Sequence, residues 1–96
     1  LTTLDGVERD LRTADLVICD AEAPTGFAGI MGGEESEITE ATTEVMFECA
    51  SFDRTGIRLS GRAHGMRTES SGRFERGVCA ATVMEALDRA CHLVND

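Results

Sequence analysis

Lysine is missing from all 96 residues, which excludes Schiff-base and lysine-nucleophile chemistry within the chain. Tryptophan and tyrosine are missing too, and only four phenylalanines supply aromatic rings, so the core must rest on Leu, Ile, Val, Met and Ala. No apolar run approaches the roughly 20 residues that a membrane span needs, and no secretory pattern opens the sequence. The four cysteines, at 19, 49, 79 and 91, include no Cys-x-x-Cys pair of the kind that builds zinc or redox sites. Cys91 and His92 are neighbours, but adjacent helical positions point about 100° apart and cannot readily share one ion. Buried, free, reduced thiols are therefore expected. Histidine occurs only at 64 and 92, and nothing in the sequence sets either beside a serine or Cys49, which argues against a Ser-His-Asp or Cys-His nucleophile.

What is present is unevenly spread. The length suits one domain or a piece of one, with about 60–65% of the unfolded surface buried and hence a modest core. Leu1 rather than Met opens the chain, directly in strand-like sequence, so it reads as a piece of a larger protein. The net charge of −9 conceals a segregation. Residues 1–53 carry thirteen acids and two arginines, whereas residues 54–76 carry six arginines against Glu69 and Glu75. The acidic remainder opposes indiscriminate nucleic-acid binding, including binding to DNA, while the arginine segment leaves room for local phosphate contacts or for pairing with nearby acids.

The pattern along the chain predicts a mixed α/β (α+β) domain over residues 1–96, with a mixed sheet, a β-hairpin at the start and helices packed from the C-terminal half. Residues 1–4 and 7–11 flank Asp5-Gly6, the signal of a type I′ hairpin. Leu16-Val-Ile-Cys19 is a short apolar run expected as a buried strand. Ala23-Pro-Thr-Gly26 is turn chemistry, and residues 27–31 read as a further strand ending at Gly32-Gly33. Residues 39–43 suggest a helical turn or loop. Residues 45–50 alternate as a strand with Glu48 on one face. After Asp53, a plausible N-cap, the period becomes helical up to Gly65, with Arg54, Arg58 and Arg62 sharing one face. Gly56 and Gly61 weaken this helix and point to close packing against it. Ser70 or Ser71 is expected to cap a short helix ending at Gly77. Apolar residues at 83, 84, 87, 90, 91 and 94 mark an amphipathic helix over 81–94.

Three stretches carry candidate chemistry. The glycines at 26, 29, 32 and 33 match neither the P-loop nor the dinucleotide fingerprint, and Glu34-Glu35 would repel phosphate, so they suit either a plain turn or a wall where a ligand meets bare backbone. Glu48 lies inside an apolar strand pattern, where it must face solvent, pair with an arginine or await a ligand donor. The adopted reading is a desolvated carboxylate at the mouth or floor of a glycine-edged cavity. Thr68-Glu69-Ser70-Ser71 offers hydroxyls near a helix start, where capping is their ordinary use. The acidic stretch 34–44 is expected to be a solvated loop rather than a metal site.

Taken in order, Leu1-Thr-Thr-Leu-Asp-Gly6, Ala28-Gly-Ile-Met-Gly-Gly-Glu34, Phe47-Glu-Cys-Ala50 and Gly65-Met-Arg-Thr-Glu-Ser-Ser-Gly-Arg-Phe-Glu-Arg-Gly-Val78 resemble the central domain of bacterial phenylalanyl-tRNA synthetase beta subunits. The match covers the whole chain but only the later half of the domain that edits mischarged tRNA. The resemblance implies post-transfer hydrolysis of Tyr-tRNA(Phe). By it Glu48 recognises the tyrosine hydroxyl, Gly32 is the pocket glycine, and Thr68 and Ser70 stand on the pocket wall. The helix stripe Arg54, Arg58 and Arg62 is then a tRNA-facing surface, and no single residue is assigned a catalytic role. The resemblance also implies a cytoplasmic enzyme, an alpha-subunit partner in a heterotetramer, and ATP with Mg2+ at a synthetic site outside this chain. It implies no cofactor or metal within these residues. The sequence departs from the family at Ser70, usually alanine, and at Cys79, commonly aspartate. The family's pocket histidine lies upstream of Leu1 and matches neither His64 nor His92. The competing expectation is a non-catalytic scaffold or docking module of the same synthetase.

Overall fold

A computed structural model describes residues 1–95. Its order is β1 (Val17–Cys19), β2 (Pro24–Phe27), β3 (Met31–Gly32), α1 (Arg54–Ala63), α2 (Glu69–Arg76) and α3 (Val83–Asn95), with single 3-10 turns at Glu34–Ser36 and Ala80–Thr82. The class is mixed α/β. The sheet is antiparallel in both of its pairings, in the order β1-β2-β3.

The amino-terminal hairpin forms, bridging Thr2 to Glu8, but its loop differs from type I′. Type I′ needs positive φ at both central residues. Here only Gly6 is left-handed, at φ +78°, and the loop spans Leu4-Asp5-Gly6, closed by Gly6 N–H donating to Thr3 O at 2.8 Å. The Asp5 carboxylate fastens this loop by accepting from Thr3 Oγ1 (2.6 Å) and Arg9 Nη2 (2.7 Å). The hairpin then continues the sheet beyond β3, through Leu4 N–H to Gly32 O and Glu34 N–H to Thr2 O.

The predicted turn and strand between 23 and 31 are displaced. Residues 24–27 are extended and pair with β1 across a bulge between Ile18 and Cys19, and the chain reverses over residues 28–30 instead. Gly29 makes that reversal possible at φ +71°. A Cβ there would also meet Ile57 Cδ1 at 2.8 Å and Phe52 Cδ2 at 3.2 Å, so both backbone and packing demand glycine. β1 is half-buried rather than buried, with Leu16 exposed, because it forms the outer edge of the sheet.

The helices follow their local signals closely. Asp53 caps α1, accepting from Gly56 N–H. The end of α1 is a Schellman turn: Met66 N–H donates to Gly61 O and Gly65 N–H to Arg62 O. A Cβ on Gly61 would stand 2.9 Å from Met66 O, which is the close approach its presence in a helix suggested. The cap of α2 is Thr68, not Ser70 or Ser71. Thr68 Oγ1 accepts from Ser71 N–H while Ser71 Oγ accepts from Thr68 N–H, a capping box closed by serine.

Phe27, Ala28, Ile30, Ile57 and Met66 form the core, flanked by Leu1, Leu11, Met31, Phe52 and Phe74. Each large side chain among these contributes about 2 kcal/mol on burial. The core thus joins the β2–β3 turn to the helix pair. Two predicted elements lie outside it. Residues 45–50 form no strand: no backbone hydrogen bond joins residues 43–52 to a neighbour among the described residues. A period-two pattern has no ladder without a partner strand. α3 forms as predicted but buries no residue, leaving Met84, Leu93 and Val94 exposed.

Candidate functional site

The β2–β3 reversal and the start of α2 enclose the candidate site, and two hydroxyls fix them together. Ser70 Oγ donates to Gly29 O at 3.0 Å, and Thr68 Oγ1 donates to Ile30 O at 2.7 Å. These bonds satisfy carbonyls that a tight reversal would otherwise bury unpaired. Beside them is a cavity of about 190 Å³, walled by the backbone of residues 26–32 and by Ile18, Phe74, Ser70 and Glu48. It has the scale of one aromatic side chain, since drug-sized sites begin near about 300 Å³.

The structure therefore gathers Glu48, Gly32 and Ser70 around one cavity. Thr68 stands apart from it. Its hydroxyl is committed to the cap and to Ile30, and it borders a separate groove with Arg67, Glu69, Gly72, Arg73 and Arg76. Glu48 differs from its expected state. It is exposed at the cavity mouth rather than desolvated, because the segment that carries it lies outside the sheet. Among the described residues it makes no ion pair and no hydrogen bond. An ionised carboxylate in that position is acceptor-only and free to receive a ligand donor.

The arginines divide into two groups. Arg54, Arg58 and Arg62 lie exposed on α1 and form no ion pair among the described residues. Arg67, Arg73 and Arg76 instead line the groove beside Thr68. The acidic residues 34–44 are exposed, and among the described residues no group of three or more His, Cys, Asp or Glu side chains could hold a metal ion. The thiols are not buried as expected. Cys19 ends the edge strand and Cys79 lies in a loop, both exposed, and Cys49 and Cys91 are half-buried on the segments the core leaves uncovered.

One polar cluster escaped the sequence reading. The Asp15 side chain is fully enclosed, accepting from Arg12 N–H (2.8 Å), Arg12 Nη2 (2.9 Å) and Ser60 Oγ (2.7 Å), with His64 Nε2 at 2.6 Å. Burial opposes its ionisation, yet bonds from Arg12, His64 and Ser60 outweigh that and hold its carboxyl well below the usual carboxylate range. An ionised carboxylate only accepts, so His64 donates from Nε2. His64 also meets Phe27 edge-on, with ring centroids 5.2 Å apart, so the cluster ties α1 to the wall of the cavity. Arg12-x-x-Asp15 just ahead of an apolar run was its one visible signal.

Comparison with known proteins adds two findings. The family model described as the B3/4 domain matches residues 1–96. The chain is 49% identical over 94 residues to a phenylalanine–tRNA ligase beta subunit of Staphylococcus saprophyticus, and 47% identical over 94 residues to those of Staphylococcus aureus strains Mu50 and N315. Each alignment takes in 98% of this chain and 12% of the relative, so the chain spans about an eighth of the length of these relatives.

Proposed function

The chain belongs to the B3/4 domain family, and from that premise we propose that it forms part of an editing site hydrolysing tyrosine wrongly esterified to tRNA(Phe). The observation that carries the reading is the Glu48 carboxylate, without an ion pair or hydrogen bond among the described residues, at a cavity otherwise lined by glycines, apolar residues and Ser70, whose hydroxyl is bonded to Gly29 O. Tyrosine exceeds phenylalanine by one hydroxyl, which an apolar synthetic pocket rejects only weakly. A site built around an acceptor inverts that preference. Tyrosine donates its phenol to Glu48, whereas phenylalanine would desolvate the carboxylate and leave it unpaired.

Gly32 borders the cavity within the wall of residues 26–32, and Ser70, tied to Gly29, borders it from α2. The reaction is ester hydrolysis. Water attacks the aminoacyl carbonyl, the bond to the ribose oxygen breaks, and tyrosine and a free ribose hydroxyl leave. The oriented water, helped by backbone donors or by the ribose's other hydroxyl, supplies the rate through position and charge stabilisation. By the same reading the parent is a cytoplasmic ligase with an alpha-subunit partner in a heterotetramer, and its ATP and Mg2+ act at a synthetic site beyond these residues.

Replacing Glu48→Ala in the full-length subunit, within the assembled enzyme, tests this. Tyr-tRNA(Phe) hydrolysis should fall by up to about 100-fold, the equivalent of one lost hydrogen bond to a charged group at about 1.5–3 kcal/mol, while phenylalanine charging is unchanged. Undiminished deacylation would end the proposal. The scaffold alternative keeps one supporting observation, the uncovered apolar face of α3.

A further inference from the structure

We infer that His64 is a positioning residue for the editing cavity, holding the Phe27 end of the β2–β3 reversal so that a tyrosine ring seats at the depth where its hydroxyl meets Glu48. This role rests on the editing reading for its substrate, while the hold itself is a property of the fold. Phe27 is where the wall is anchored. It ends β2, pairs with Met31, and its carbonyl accepts from Ile30 N–H at 3.0 Å, which closes the reversal. It also borders the cavity and is buried in the core, 2% exposed. A shift of Phe27 therefore carries residues 28–30 with it.

The Phe27 ring meets His64 edge-on, with centroids 5.2 Å apart and planes at 85°. His64 caps the C-terminal end of α1, and its side chain is only 10% exposed. Its Nε2 lies 2.6 Å from the Asp15 carboxylate, which is itself enclosed and held by Arg12 and Ser60. The backbone there is tied as well, since His64 O accepts from Arg9 Nη1 at 3.4 Å. Nδ1 makes no hydrogen bond among the described residues, so Nε2 is the one directional tie of the ring.

Apolar side chains could fill the same space, and a buried charged cluster gains little over them in stability because desolvation offsets its attraction. What the cluster adds is direction. A leucine in that place has several rotamers, whereas an imidazole bonded at one nitrogen to a fixed acceptor keeps one ring plane. From α2, Ser70 and Thr68 fix the carbonyls of Gly29 and Ile30. The wall is thus gripped by hydroxyls from one helix and by a ring from the end of the other. A cavity of about 190 Å³ leaves one aromatic ring little slack, so a displaced wall changes where the phenol points. A phenylalanine ring makes no hydrogen bond to Glu48 and has less to lose.

The experiment uses the full-length subunit in its assembled enzyme and a double-mutant cycle of His64→Gln and Phe27→Leu. Glutamine keeps an N–H donor for Asp15, so the buried carboxylate stays paired, but it presents no ring to Phe27. The readout is the ratio of kcat/KM for hydrolysis of Tyr-tRNA(Phe) over that of Phe-tRNA(Phe), a quotient in which any loss of folded enzyme cancels. His64→Gln should lower the ratio about tenfold, less than the roughly 100-fold that a misplacement of about 1 Å can cost. Phe27→Leu should lower it at least as far, and adding His64→Gln to Phe27→Leu should lower it no further. An unchanged ratio in His64→Gln would overturn the role. So would two losses that multiply in the double variant, since His64 would then not act through Phe27. A parent enzyme with no preference for the tyrosyl ester, or a Glu48→Ala enzyme that keeps the preference, defeats the editing reading instead. Amide exchange separates the two failures. The N–H groups of Ala28 and Ile30, bonded to Leu16 O and Phe27 O at 3.0 Å each, should exchange about tenfold faster in His64→Gln whatever the substrate. Unchanged protection there means that His64 does not hold the wall.

Discussion

Residues 27–33 and residues 43–50 both contribute to the candidate cavity, the second through Glu48 alone, and both are made largely of small or apolar side chains, yet they stand in opposite physical states. In the first, residues 27–30 are buried, and the carbonyls of Gly29 and Ile30 are taken by Ser70 and Thr68. In the second, Val45 is 52% exposed, Met46 96% and Phe47 42%, and no backbone group finds a partner among the described residues. The difference is not one of hydrophobicity. A reversal closes its own hydrogen bonds within a few residues and can be capped by hydroxyls from one helix. A strand closes none of its own, and an apolar face stabilises only when something covers it. One wall of the cavity is therefore fixed by this chain alone, and the wall that carries Glu48 is not.

The largest effect expected from breaking the fixed wall is at Asp15. Asp15→Ala removes the acceptor that Arg12, Ser60 and His64 share and leaves their donors partly buried without a partner, at a cost of about 3 kcal/mol. In a domain of this size that lowers the melting temperature by about 12 °C or more. The carboxyl is depressed in the folded state, so its contribution is complete above the ordinary value of 3.8 and is lost as pH falls below it toward the folded value. Asp15→Asn should flatten that acid limb in a melting-temperature series. A series from pH 3 to 7 identical to the parent's would show that the cluster does not hold the wall.

Next comes Gly29→Ala, expected to cost about 2 kcal/mol. A left-handed residue with a Cβ costs about 1–2 kcal/mol, and the new methyl would also press on Ile57 and Phe52. Urea denaturation measures it. A loss well under 1 kcal/mol would mean that the reversal shifts easily and is no more fixed than the opposite wall.

These two positions also show what the sequence could and could not tell. The helices were legible because their signals are local: the Asp53 cap, the Gly65 and Gly77 stops and the period of residues 83–94 needed nothing distant. The capping residue of α2 was missed because Ser71 fills the place usually held by Glu or Gln. Of the glycines at 26, 29, 32 and 33, the one that turns the chain could not be chosen from sequence, since Ile57 and Phe52 decide it. Asp15 was overlooked because Ser60 and His64 are 45 and 49 residues away. Of the four residues that the family resemblance named, Glu48, Gly32 and Ser70 border one cavity and Thr68 does not, whereas burial of Glu48 was inferred from a period-two pattern that assumed a partner strand.

The smallest expected effect tests the other side of the comparison. Met46→Ser on this chain should change stability by less than about 0.5 kcal/mol, because a side chain 96% exposed has almost no apolar contact to lose. The same change in the full-length subunit separates two accounts of residues 43–50. If the rest of the subunit supplies a covering surface there, the substitution becomes costly, by about 2 kcal/mol for a buried methionine, and amide exchange at 45–50 slows to that of β2. If cost and exchange stay as they are in the isolated chain, the wall holding Glu48 is mobile until substrate arrives. Recognition would then include the entropy of ordering about six residues, at roughly 1–2 kcal/mol each. A single hydrogen bond from a phenol is too weak to offset that, so a carboxylate able to tell tyrosine from phenylalanine needs its strand covered before the ligand comes.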